Sequence, residues 1–115
     1  RAGRVQAPTG GIAQPGSGLS EDVFVAPNPV ADVSANLHYR IRSDVSRVRI
    51  AVHDVTGAEV RRLSGTIDPG VDNLVFWDLT NENGTRVAPG WYVARFQFDA
   101  TYGTEVRMAR FVVAH

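Results

Sequence analysis

The chain has 115 residues, 43% of them hydrophobic and 21% charged, which is one domain's length with a globular rather than a disordered composition. Twelve basic residues, all arginine, balance twelve acidic ones, so no net charge draws the chain to nucleic acid or to an acidic membrane. Cysteine is absent, which removes disulfides, thiolate metal sites and cysteine nucleophiles, and no apolar run reaches the roughly 20 residues that span a bilayer.

The chain opens on Arg1 with neither an initiator methionine nor a signal-peptide pattern, as expected of a piece whose preceding segment has been removed. Residues 1–22 carry five glycines and two prolines, with Val5, Ile12 and Leu19 as the only sizeable apolar side chains. Such a stretch buries too little to fold alone. It reads either as a flexible linker to an upstream domain or as an arm ordered by a protein partner, with Val5, Ile12 and Leu19 as its anchors. The folded domain is expected to run over residues 23–115.

From Val23 the pattern becomes a series of short extended runs. Val23 to Ala26 reads as an edge strand closed by Pro27-Asn28-Pro29, since two prolines remove backbone donors. Ala35 to Arg42 places Leu37, Tyr39 and Ile41 on one face, and Val48, Ile50 and Val52 repeat that alternation in the next run. Asp54-Val55-Thr56-Gly57 is a turn into Ala58 to Leu63, with Val60 as the inward candidate, and Asp68-Pro69-Gly70 is another. Asn73 to Trp77 follows as a strand, then a loop containing Asn83-Gly84, a type I′ turn dipeptide.

Pro89-Gly90 starts the longest strand, Trp91 to Asp99, with Tyr92, Ala94, Phe96 and Phe98 on one face. In the last run Val106 and Met108 face one way and Phe111 and Val113 the other, which predicts a bulge near Ala109. About seven strands without a helical period predict an all-β, Ig-like antiparallel β-sandwich.

Chemistry leaves few marks. His38 and His53 fall on outward strand faces, His115 is terminal, and no zinc-binding or nucleophile-elbow motif occurs, so neither catalysis nor a cofactor is expected. The carboxylates are scattered through turns. Asp78, Asn81 and Asn83 are the only metal candidates, in a loop whose oxygens suit a hard cation; the same residue types in hairpin loops commonly bond their own backbone. Arg40, Arg42, Arg47 and Arg49 would crowd one face if their two strands paired, so either those strands lie in different sheets, the expected case, or an anionic partner neutralises the patch. Trp77 is expected in or at the rim of the core. Trp91 points opposite to Tyr92 and is the one exposed platform for a sugar ring, with carbohydrate binding a lesser reading.

Val52-His53-Asp54-Val55-Thr56-Gly57, Phe76-Trp77-Asp78, Asn83-Gly84 and Val87-Ala88-Pro89-Gly90-Trp91-Tyr92 together resemble the Ig-like domain family first named for the flagellar hook-capping protein. The chain also looks like the C-terminal sorting domains of proteins exported by the type IX secretion system. Pro27-Asn28-Pro29 matches their opening element, Gly90-Trp91-Tyr92 their Gly-x-Tyr, and Arg110-Phe111-Val112-Val113 their closing basic-apolar strand. Leu79 stands where that family more often has glycine, and Arg110 where it usually has lysine. The resemblance covers residues 26–113. It implies a noncatalytic module at the end of a larger secreted or cell-surface protein, not membrane-spanning, whose protein partner (secretion machinery or surface anchor) meets Arg110, Phe111, Val112 and Val113. The alternative is a structural or accessory subunit of an extracellular assembly that docks on a neighbouring subunit through the arm of residues 1–22.

Overall fold

A computed structural model describes residues 19, 20, 22–31, 33–42 and 44–114. The expected anchors Val5 and Ile12 lie outside them.

Seven strands form, three of them where apolar residues alternate cleanly over 35–39, 48–52 and 92–98. They are β1 (Phe24–Ala26), β2 (Ala35–Arg40), β3 (Arg47–Asp54), β4 (Glu59–Ser64), β5 (Asp72–Trp77), β6 (Gly90–Ala100) and β7 (Gly103–Val113). They pair antiparallel in two sheets, β1-β2-β5 and β4-β3-β6-β7, with no helix among the described residues, so the chain is the Ig-like β-sandwich its sequence predicts. β2 and β3 do fall in different sheets. Arg40 donates to the Gly70 carbonyl at 2.7 Å and Arg49 to Asp99 Oδ2 at 2.8 Å, on opposite outer faces.

The inner faces meet in an aromatic core. Trp77 stands edge-on to Phe111 with centroids 6.0 Å apart, and Tyr39 leans on Phe96 and Phe98. Each such fully buried side chain contributes about 1.5–3 kcal/mol of apolar transfer energy. Polar tips inside find partners: Trp77 Nε1 donates to the Thr80 carbonyl at 2.9 Å, and the Tyr39 hydroxyl to the Thr66 carbonyl at 2.6 Å. Gly65 makes room for that hydroxyl, because a Cβ there would lie 2.3 Å from it.

The expected bulge in the last strand is absent. β6 and β7 keep one unbroken register from Gly90↔Val113 to Ala100↔Gly103. Val106 and Met108 stay on the outer face, and the inward positions are filled by Glu105 and Arg107 instead of apolar residues. Arg107 Nε donates to Glu105 Oε2 at 2.7 Å, and Glu105 also accepts from the Leu19 and Ser20 amides and from Ser20 Oγ. A register shift does occur between β3 and β4, at Val52/His53. It turns both Val60 and Leu63 toward the core, where plain alternation allows only one of them.

Two segments outside the strands complete the edges. Ser20 bridges Ile41 and the Arg42 amide donates to the Leu19 carbonyl at 3.0 Å, so packed structure begins upstream of Val23. After β1, Pro27-Asn28-Pro29 carries the chain across to the second sheet, where Val30 pairs with Val113 in parallel.

Candidate functional site

The three motifs that carry the resemblance lie far apart in sequence and meet at one corner. Gly90, with φ 145°, takes a backbone conformation that side chains disfavour and so starts β6 directly after Pro89. Trp91 then lies opposite Val112, and Tyr92 opposite Phe111. On the other side of β7, the Val30 amide donates to the Val112 carbonyl and the Ala114 amide to the Val30 carbonyl, each at 2.7 Å, while the Val112 amide donates to Asn28 Oδ1 at 3.1 Å. The end of the last strand is thus held between the start of β6 and the Pro-Asn-Pro crossing.

Alternation divides this strand end between core and surface. Phe111 and Val113 are buried in the sandwich, whereas Arg110 is exposed and Val112 half-buried on the outer face. Leu19, the third expected arm anchor, is packed into this chain's own core at 3% exposure. Trp77 is buried and Trp91 is 56% exposed, as their strand positions predict.

Trp91, Val93 and Arg110 line a shallow depression of about 270 Å³ with Asp54, Val55 and Tyr92. Val55, 75% exposed at the tip of the β3–β4 turn, gives it an apolar wall. Asp54 is occupied by its own turn: Oδ1 accepts from Thr56 Oγ1 at 2.6 Å, the Thr56 amide at 2.9 Å and the Ala58 amide at 3.2 Å. The Thr56 hydroxyl foremost, helped by those amides, holds its carboxyl below the usual range although desolvation opposes it. Burial, with Asp54 nearby, pushes the Tyr92 phenol up, so it stays neutral and donates to the Ala88 carbonyl. Arg110 forms no ion pair or side-chain hydrogen bond among the described residues. An indole face, apolar walls and a free guanidinium suit the gripping of a planar or anionic group.

The loop at residues 78–84 uses Asp78 Oδ1 and Asn81 Oδ1 to hold its own turns. Asp78 Oδ1 accepts from Thr80 Oγ1 and the Thr80 amide, and Asn81 Oδ1 from the Asn83 and Thr85 amides. Asp78 is held below the usual carboxylate range by the Thr80 hydroxyl first, with Arg61 adding to it. No cluster of three metal-ligating side chains occurs among the described residues. Sequence reasoning missed Arg61. It sits opposite Val52 on the inner side of edge strand β4 and reaches this loop, donating to Thr80 Oγ1 at 2.7 Å. The only sequence signal was an arginine beside a bulge that alternation alone does not reveal.

No protein-family model matches the chain, and no curated protein matches it. Among solved structures it is similar to part of dimeric latent PorU from Porphyromonas gingivalis, with 24% identity, a TM-score of 0.70, and coverage of 96% of this chain and 10% of that one. PorZ, an essential bacterial surface component of the type IX secretion system of P. gingivalis, matches at 21% identity and TM-score 0.56, over 81% of this chain and 11% of that one. FlgD from P. aeruginosa matches at 19% identity and TM-score 0.60, over 82% of this chain and 69% of that one. The chain therefore spans only a small part of PorU and PorZ. Identities this low show a shared sandwich fold.

Proposed function

We propose that this chain is a noncatalytic β-sandwich module of a larger secreted or cell-surface protein, located at its C-terminal end and serving secretion sorting or surface attachment. The observation that carries this reading is the meeting of Pro27-Asn28-Pro29, Gly90-Trp91-Tyr92 and Arg110–Val113 around one strand end, where Trp91 and Arg110 stay open to a partner. The likeness to sandwich domains within PorZ and PorU supports it, PorZ being a surface component of a secretion system. The residues lining the depression offer a surface for holding a protein, with its carboxylate committed to a turn.

The module is taken as residues 23–115, and residues 1–22 as a linker or arm whose Leu19 and Ser20 pack onto it.

The test is export of a reporter fused upstream of the chain in a host with a type IX secretion system. The intact fusion is expected outside the cell, and Arg110→Gln and Trp91→Ala are expected to retain it inside while leaving its melting temperature unchanged. Export undiminished by both substitutions together would overturn the reading. Deleting Arg110 to His115 is a poorer test, because it also removes Phe111 and Val113 from the core.

A further inference from the structure

The outer face of the four-stranded sheet collects charge that the sequence scatters. Its outward positions hold Arg47 and Arg49 on β3, Arg62 on β4, Arg95 on β6 and Arg110 on β7, against two carboxylates, Glu59 and Asp99. Those two acids are already engaged, Asp99 with Arg49 at 2.8 Å and Glu59 with Arg62 at 3.0 Å. Arg47, Arg95 and Arg110 have no carboxylate partner among the described residues; Arg95 reaches only Gln97 Oε1, at 3.3 Å. A neutral chain thus presents one face with a surplus of positive charge.

The arrangement is specific as well as cationic. Arg95 lies opposite Met108, and Arg110 opposite Val93, so the two arginines are diagonal neighbours roughly 7–8 Å apart at their backbones. Carboxylates two residues apart on an extended chain are separated by about 6.5–7 Å, which fits that pair. Met108, 63% exposed, and Trp91 flank the arginines on the same face and offer apolar contact on either side.

We infer that this face docks an extended, acidic segment of a partner protein, with alternate carboxylates on Arg95 and Arg110 and an apolar residue against Trp91. The inference deepens the attachment reading and rests on it only for the partner being a protein. Its test uses purified chain, so its failure and a failure of export are separate results.

The probes are a fluorescein-labelled peptide of Glu-Thr repeats ending in Phe, the same peptide with Lys for Glu, a single-stranded DNA oligonucleotide and phosphatidylglycerol vesicles. The Glu peptide is expected to bind the full chain, to weaken as salt rises, and to shift Trp91 emission. Arg95→Gln and Arg110→Gln should each lower its affinity about tenfold, while Arg42→Gln, outside this face, leaves it unchanged. The pair Arg95→Glu with Arg110→Glu should transfer binding to the Lys peptide, a gain that misfolding cannot imitate. No binding of the Glu peptide, equal loss with Arg42→Gln, or equally Arg95-dependent binding of DNA or vesicles would overturn the inference.

Discussion

Leu79 holds φ at 63°, the one described non-glycine residue in the left-handed region, and its side chain is wholly buried. That conformation costs about 1–2 kcal/mol, and burial of a leucine offsets it with about 1.5–3 kcal/mol. Two solutions therefore suit the position: glycine without strain, or leucine with a core contact. Leu79→Ala loses the contact and keeps the strain, at about 2–4 kcal/mol. Leu79→Gly is expected to cost no more, the reverse of the usual penalty for glycine; denaturant unfolding that finds it clearly worse would contradict this account. Gly65 is a steric case. Gly65→Ala should cost about 1–3 kcal/mol, and Tyr39→Phe should recover part of it by removing the atom that the new methyl meets. Strict additivity of the two changes would refute that geometry.

Asp54 gives a pH prediction. Its folded-state pKa is lowered, so its contribution is complete above the ordinary carboxyl value of about 3.9 and is lost as pH falls through the lowered one. Carboxyl NMR should find Asp54 titrating below a typical aspartate, and Thr56→Val should move it upward. An unchanged titration would remove the Thr56 hydroxyl as the principal cause.

Among the elements, β7 was the hardest to read. Sequence reasoning followed the greasy side chains and inferred that the backbone slips where they change face. The backbone is regular, and the side chains depart from the rule, because Glu105 and Arg107 take inward positions at an edge where Leu19 and Ser20 cover them. No local pattern signals a charged pair satisfied by a segment so distant in sequence. Glu105→Ala strips those amides and Arg107 of their acceptor, at about 1–3 kcal/mol. Faster amide exchange at Leu19 and Ser20 is expected beyond any global loss of stability, and retained protection there would count against their dependence on Glu105.

For the whole molecule, the strand count and the opposite environments of Trp77 and Trp91 were legible from period-two alternation, and the two-sheet separation of β2 from β3 from the arginines that pairing them would have crowded on one face. The candidate site was legible as motifs and not as a place. Nothing local places residue 28 beside residue 112, or gathers five arginines from four strands on one face. Arg61 and Gly65 were missed for the same reason, as the partners that define them belong to other strands or loops.

The parallel pairing of Val30 with Val113 also determines how the sandwich carries tension. A pull that separates the segment at Val30 from the end of β7 runs along the two backbone hydrogen bonds between them, which break in shear and together, whereas an antiparallel pair at the same place would peel apart one bond at a time. A module tethered at one end and seized at the other would be strongest in that direction, and stretching single molecules between their two ends should show an abrupt rupture that Val30→Pro, which removes the amide donor, softens.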